Sequence, residues 1–146
     1  MATVASILKE KGNKVYGVSP DTTLVDCIKL MCEKQIGSVL VMEGEKVVGI
    51  FSERDYARRG ILQGNDDHTA VKKVMTDKVY YVTPEQSVET CMAQMSDKHI
   101  RHLPVMQEGK VVGVISIGDV VKSLLQDKDT LIKGMENYLL GGEIEL

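Results

Sequence analysis

The chain predicts an α+β fold: two β-α-β-β-α repeats about a pseudo-twofold axis, followed by a C-terminal helix. Three observations predict it. Offset by 64 residues, 15–58 matches 79–122 without a gap, and 16 of the 44 pairs are identical. Each copy holds one segment with helical apolar spacing and two short runs rich in Val, Leu and Ile. At 146 residues the whole chain suits one folded body, whereas half of it, at roughly 60 residues, would be marginal alone, so repeats of this kind pair to bury their apolar faces.

In the first copy, Leu24, Cys27, Ile28 and Met31 fall at i, i+3, i+4 and i+7, which predicts an amphipathic helix over 24–33. Thr23 followed by Asp26 has the pattern of a capping box, and Gly37 is expected to end the helix. Residues 38–42 and 46–51 read as strands joined by a tight turn at Glu43-Gly44-Glu45. A second helix is expected over 53–62, and the polar stretch 64–69 links the copies. The second copy predicts a strand at 79–82, a helix at 88–97, strands at 102–106 and 110–115, and a helix at 117–125. Short amphipathic segments precede both copies, with Val4, Ile7 and Leu8 before the first and Val71, Val74 and Met75 before the second. The expected divisions are 1–66 for the first repeat with its N-terminal segment, 67–126 for the second, and 127–146 for a C-terminal helix and tail. In the last of these, Leu131, Ile132, Met135, Tyr138 and Leu139 make an apolar stripe suited either to the protein's own core or to a homodimer interface.

A net charge of −3 and a pI near 5.6 give no basic footprint for nucleic acid. No apolar run reaches the length of a membrane span, and the N-terminus lacks a signal-peptide core, so a cytoplasmic protein is expected. The cysteines Cys27, Cys32 and Cys91 have no C-x-x-C spacing, which implies neither a disulfide framework nor zinc; Cys27 and Cys91 are expected in the core.

The repeated Gly-h-h-Ser-x-x-Asp, where h is apolar, places Ser52 with Asp55 and Ser116 with Asp119 at strand-to-helix junctions. A carboxylate there could accept from both hydroxyls of a ribose, with the serine adding a hydrogen bond and the helix N-terminus favouring phosphate. The same pattern is also a helix-capping signature that needs no ligand. Arg101 and His102 begin the strand beside Ser116 and could meet phosphate, or could be solvated polar residues. Pro104, lacking an N–H, offers an apolar wall to a flat base.

Taken together, the Ser-Pro and Thr-Pro starts, Arg101-His102-Leu103-Pro104-Val105 and Gly113-Val114-Ile115-Ser116-Ile117-Gly118-Asp119 resemble a tandem pair of CBS domains, or Bateman module. The resemblance covers all but the C-terminal helix. It implies two repeats packed by their sheets around the pseudo-twofold, clefts for adenosine-type ligands (AMP, ADP, ATP, NAD or S-adenosylmethionine), and a flat homodimer. Residue by residue, it implies that Asp119 and Ser116 hold one ribose, Gly118 allows backbone approach, and Arg101 and His102 face phosphate, with Tyr16, Ser19, Ile36 and Gly37 lining the same cleft from across the axis. The other cleft would use Asp55, Ser52 and Arg54, with Tyr80, Thr83, Ile100 and Ser38 opposite. Gly37-Ser38-Val39-Leu40 departs from the pattern, standing where the second repeat has Arg101-His102-Leu103-Pro104, while Arg54, Arg58 and Arg59 crowd that side and suit either a ligand with two phosphates or a solvated helix face.

The leading function is a regulatory adenine-nucleotide-binding module without chemistry of its own, an energy or redox sensor taking AMP or another adenine nucleotide, with NAD(H) as an alternative, and passing its output to an unidentified effector protein. A ligand-free dimerisation module is the second class. A hydrolase using Ser116, His102 and Asp119 is disfavoured, because the Ser and Asp recur while the His does not and no G-x-S-x-G elbow is present.

Overall fold

The computed structural model describes residues 2–126, so the helix and apolar stripe expected within 127–146 lie outside the described residues. Helix α1 (Val4–Lys11) precedes the first repeat, which runs β1 (Gly17–Val18), α2 (Leu24–Lys34), β2 (Ser38–Glu43), β3 (Lys46–Ser52) and α3 (Glu53–Asp55), continued as a π-helical stretch over Tyr56–Ile61. A single 3₁₀ turn (Val71–Lys73) precedes the second repeat of α4 (Val88–Lys98), β4 (His102–Gln107), β5 (Lys110–Ser116) and α5 (Ile117–Gln126). β1 pairs in parallel with β2, and each long hairpin is antiparallel, with Leu40 opposite Ile50 in one and Pro104 opposite Val114 in the other. Mixed α+β architecture and the two-repeat plan are as expected.

Four local expectations are corrected. α2 ends not at Gly37 but at Gln35, which takes the left-handed conformation (φ 55°), as His99 does at the end of α4. Gly37 instead marks a close approach: a Cβ there would lie 3.2 Å from His102 Nε2. The strand expected at 79–82 shrinks to a single bridge between Val82 and Val105. In the first repeat the Leu40 N–H donates to the Tyr16 carbonyl (3.1 Å), but the matching residue in the second repeat is Pro104, which has no N–H to give. The helix expected over 53–62 forms with a changed winding: the Leu62 and Asn65 N–H groups reach back five residues to Ala57 and Gly60. There a Cβ on Gly60 would lie 3.2 Å from the Tyr56 ring, a tight approach, and the Asn65 amide donates to the Arg59 carbonyl at 2.7 Å. Finally, the Thr23 hydroxyl accepts from the Asp26 N–H at 3.3 Å, but the reciprocal half of a capping box is not made.

The two hairpins turn differently. Gly44 alone is at positive φ in the first, the pattern of a type II′ turn, while Glu108 and Gly109 are both positive in the second, the pattern of type I′.

The segment before each repeat packs into the other one. Val4 and Ile7 of α1 join Val82, Val88, Cys91, Met95, Leu103, Val105, Ile115 and Val120 in one buried cluster. Val71 and Val74 join Leu24, Cys27, Met31, Val39, Val41 and Phe51 in the other. Orphan helix donors follow the same exchange: the Val88 N–H at the start of α4 donates to Ala2 (3.1 Å), and the Leu24 N–H at the start of α2 donates to Thr69 (2.9 Å). The polar 64–69 stretch therefore caps a helix as well as linking repeats. Cys27 and Cys91 are both buried, and burial pushes the Cys27 thiol up to about 11, with Asp26 adding to it.

This exchange explains the glycine repeated in the two hairpins. A Cβ on Gly113 would come within 2.6 Å of Leu8 Cδ2, and one on Gly49 would collide with Met75. Gly113→Val is expected to lift α1 from β5 and lower stability by about 1–3 kcal/mol, the usual cost of overpacking, read as a lower urea midpoint with an unchanged slope.

Candidate functional site

Residues from both repeats line one continuous cleft of about 960 Å³, within the size range of small-molecule sites. Its two ends are the junctions where β3 meets α3 and β5 meets α5. At each, the chain must satisfy the first N–H groups of a helix, and the Ser-x-x-Asp spacing does so reciprocally. Ser52 Oγ accepts from the Asp55 N–H (3.2 Å) while Asp55 Oδ2 accepts from the Ser52 N–H (2.9 Å). Ser116 Oγ accepts from the Asp119 N–H (3.2 Å) and Asp119 Oδ2 from the Ser116 N–H (2.8 Å). Both acids are thus caps, and both also line the cleft.

Each acid carries a cation, from a different source. Arg59, one turn along the same helix, pairs with Asp55 Oδ1, which also accepts from the Thr76 hydroxyl at 3.2 Å. Lys11, the last residue of α1, donates to Asp119 Oδ2 at 2.7 Å and to the Val114 carbonyl at 2.9 Å. Partial burial by itself would raise the Asp119 carboxyl; the Lys11 hydrogen bond and the Ser116 N–H outweigh it and hold the group below its ordinary value.

Between the ends, His102 faces Gly37 at the meeting of the repeats. Burial pushes its imidazole below the usual histidine value, Lys11 and Arg101 push the same way, and Asp119 and Asp55 oppose them. Ser116 lies opposite His102 in the β4–β5 ladder, but no hydrogen bond joins their side chains among the described residues. Tyr16 sits between the ammonium groups of Lys14 and Lys34, each 5.6 Å from the ring centre, and Tyr80 is flanked likewise by Lys78 and Lys98.

Most of the expected residues converge here: Tyr16, Ile36, Gly37 and Ser38 from one repeat's rim with Ser52, Arg54 and Asp55 from its helix junction, and Tyr80, Ile100, Arg101, His102 and Pro104 with Ser116, Gly118 and Asp119 from the other. Ser19 and Thr83 are not among the lining residues. Ser19 is bound to Thr22 Oγ1 through its N–H and hydroxyl (both 3.1 Å), and the Thr83 N–H donates to Gln86 (2.7 Å). Lys11, Lys14, Thr76 and Lys78 line the cleft without having been picked out. All four precede the strands on which the repeat match was read. A signal for Lys11 exists: Val4, Ile7 and Leu8 match Val71, Val74 and Met75 at an offset of 67 rather than 64, which marks α1 as the counterpart of the segment that packs on the other repeat. The lining counts Lys11, Lys14, Arg54, Arg58, Lys78 and Arg101 against Glu53, Asp55 and Asp119, so a chain of net charge −3 holds a net positive cleft.

The family model for the CBS domain matches residues 4–61 and again 71–126. The chain belongs to the CBS domain family. A CBS protein from Burkholderia ambifaria MC40-6 is 49% identical and superimposes with a TM-score of 0.84, over 87% of this chain and 96% of that one. The mitochondrial CBS domain-containing protein CBSX3 of Arabidopsis thaliana is 34% identical over 96% of this chain and 73% of its own length. The fold is shared with the CBS protein PAE2072 of Pyrobaculum aerophilum at 20% identity, with a TM-score of 0.72 over 81% of this chain and 89% of that one. Among the described residues of this CBS pair, no helix is long and apolar enough to cross a membrane.

The depressed His102 titration fixes a pH dependence. Below its ordinary value of 6.5 the unfolded chain takes up a proton that the folded one resists, so stability present above that value is lost as pH falls toward the folded value. His102→Gln is expected to flatten the melting temperature between about pH 7 and about pH 5, measured by thermal scans across that window.

Proposed function

We propose that this CBS pair is a regulatory module that binds an adenine nucleotide (AMP, ADP or ATP, with NAD(H) as the alternative) and reports energy or redox state through a change of shape or of pairing. The observation that carries this reading is a cleft whose lining joins a Ser-x-x-Asp acid to a surplus of cationic side chains, a combination matched to a sugar diol joined to phosphate. Asp119 and Ser116 take the ribose, Arg101 and Lys11 take phosphate, and Pro104 and Ile36 present apolar surface to the base. The structural relative PAE2072 is complexed with AMP, which supports an adenosine ligand. For a ligand to act as a signal it must bind two states unequally, and Lys11 offers a means, since phosphate competes with Asp119 for its ammonium group and so pulls on α1.

AMP or ATP is expected to raise the melting temperature by an amount that grows with ligand concentration, and the gain is expected to shrink as salt is added. A cooperative melt that millimolar nucleotide leaves unmoved would defeat the reading. Asp119→Asn, which keeps an acceptor for the Ser116 N–H, is expected to weaken binding by about tenfold or more, measured by calorimetric titration.

A second reading, a dimerisation module, is favoured by one surface. Ile117, Val121 and Leu125 form an exposed apolar stripe along α5, and Ile61 and Leu62 are exposed at the end of the corresponding helix. We infer that a second copy of the chain covers it. Val121→Glu is then expected to halve the mass measured by light scattering.

A further inference from the structure

The two ends of the cleft are related by the repeat, yet they are not chemically equal. A carboxylate offers about four lone-pair positions. Asp55 fills all of them from the protein: Oδ2 accepts from the Ser52 N–H (2.9 Å) and the Ser52 hydroxyl (3.1 Å), and Oδ1 accepts from Arg59 and the Thr76 hydroxyl (3.2 Å). At Asp119 the hydrogen bonds from the Ser116 N–H (2.8 Å) and from Lys11 (2.7 Å) both fall on Oδ2. Its Oδ1 has no partner among the described residues, leaving the two acceptor positions that a cis-diol requires.

The space beside each acid differs in the same sense. Next to Asp119 stands Gly118, where an added Cβ would meet Ser116 Oγ at 3.6 Å and nothing closer. The matching residue next to Asp55 is Arg54, whose guanidinium crosses to the other repeat and donates to the His99 carbonyl at 3.1 Å. That carbonyl belongs to the left-handed residue ending α4, so the arginine is drawn to the negative end of a helix as well as to an acceptor. Arg59, which closes the carboxylate, is replaced at the matching position by Ser123, too short to repeat the contact.

We propose that the cleft takes one nucleoside per chain, at Asp119, and that the Asp55 end is closed by the protein's own arginines, Arg59 saturating the acid and Arg54 bridging the space a sugar and base would need. The inference rests on the nucleotide reading above and narrows it to one site. Asp55 then acts as a structural clasp joining α3 to the 75–76 segment, since Arg59 also donates to the Met75 carbonyl (3.4 Å).

The experiment is calorimetric titration of the intact chain with AMP and, separately, with ATP. The wild type is expected to bind one nucleotide per chain, and Asp119→Asn to lose that binding by about tenfold or more. Giving the first repeat the residues of the second, Arg54→Gly with Arg59→Ser, is expected to raise the stoichiometry from one to two, and adding Asp55→Asn to that variant is expected to return it to one. Two equivalents bound by the wild type, or one equivalent that survives Asp119→Asn, would overturn the inference while leaving the nucleotide reading intact. Absence of saturable binding by the wild type would end both. Because the wild-type count and Asp119→Asn need no change in the first repeat, the test stands even if the arginine variant does not fold.

Discussion

Neither repeat can close its own core, and the rest of the molecule follows from that constraint. Each lacks part of its apolar core and an acceptor for the first donors of its main helix. Both deficits are made good by the segment preceding the opposite repeat: Val4 and Ile7 enter the core of the second repeat, Val71 and Val74 that of the first. Burying apolar area and satisfying helix ends are the terms that decide whether a unit of this size folds. Here both link the halves, which fixes the repeats face to face and creates the cleft between their strand-to-helix junctions.

The exchange also decides the electrostatics of the cleft. α1 runs one helical turn past its anchoring residues and delivers Lys11 to Asp119 and to the Val114 carbonyl. In the first repeat the corresponding position is met differently: the chain leaves its 3₁₀ turn early, and the Thr76 N–H pairs with the Ile50 carbonyl (2.9 Å) as a short antiparallel bridge. A side-chain ammonium therefore meets the Val114 carbonyl on one side, where a backbone N–H meets the matching Ile50 carbonyl on the other.

In the Ser-x-x-Asp motif the same acid caps a helix and lines the cleft. Reciprocal capping engages Oδ2 of the acid and holds it in place on the helix. What remains is set by neighbours outside the motif. At Asp119 the neighbours leave one oxygen open, while at Asp55 Arg59 and Thr76 take it. Capping thus leaves acceptor positions open at one end of the cleft and none at the other.

Sequence alone determined the repeat, the strand pairs of both hairpins and the helix starts, because each rests on local chemistry: apolar spacing, a hydroxyl before a helix, a glycine in a turn; most candidate cleft residues came from the family resemblance. It also pointed to Pro104 as a residue without an N–H, although the consequence, loss of the ladder bond that would have made a strand of 79–82, depended on which strand came alongside. Tertiary structure decided what depends on residues far apart in the chain. Gly37 could be read as a helix stop until His102 was seen beside it. Lys11 and Asp119, separated by 108 positions, meet because α1 is borrowed by the other repeat. The arginines at 54 and 59 read as solvated or phosphate-binding charges, and only packing against His99, Met75 and Thr76 shows them turned to the protein's own acceptors. A local pattern states what a residue can bond; the partner it finds is settled by the packing of the whole chain.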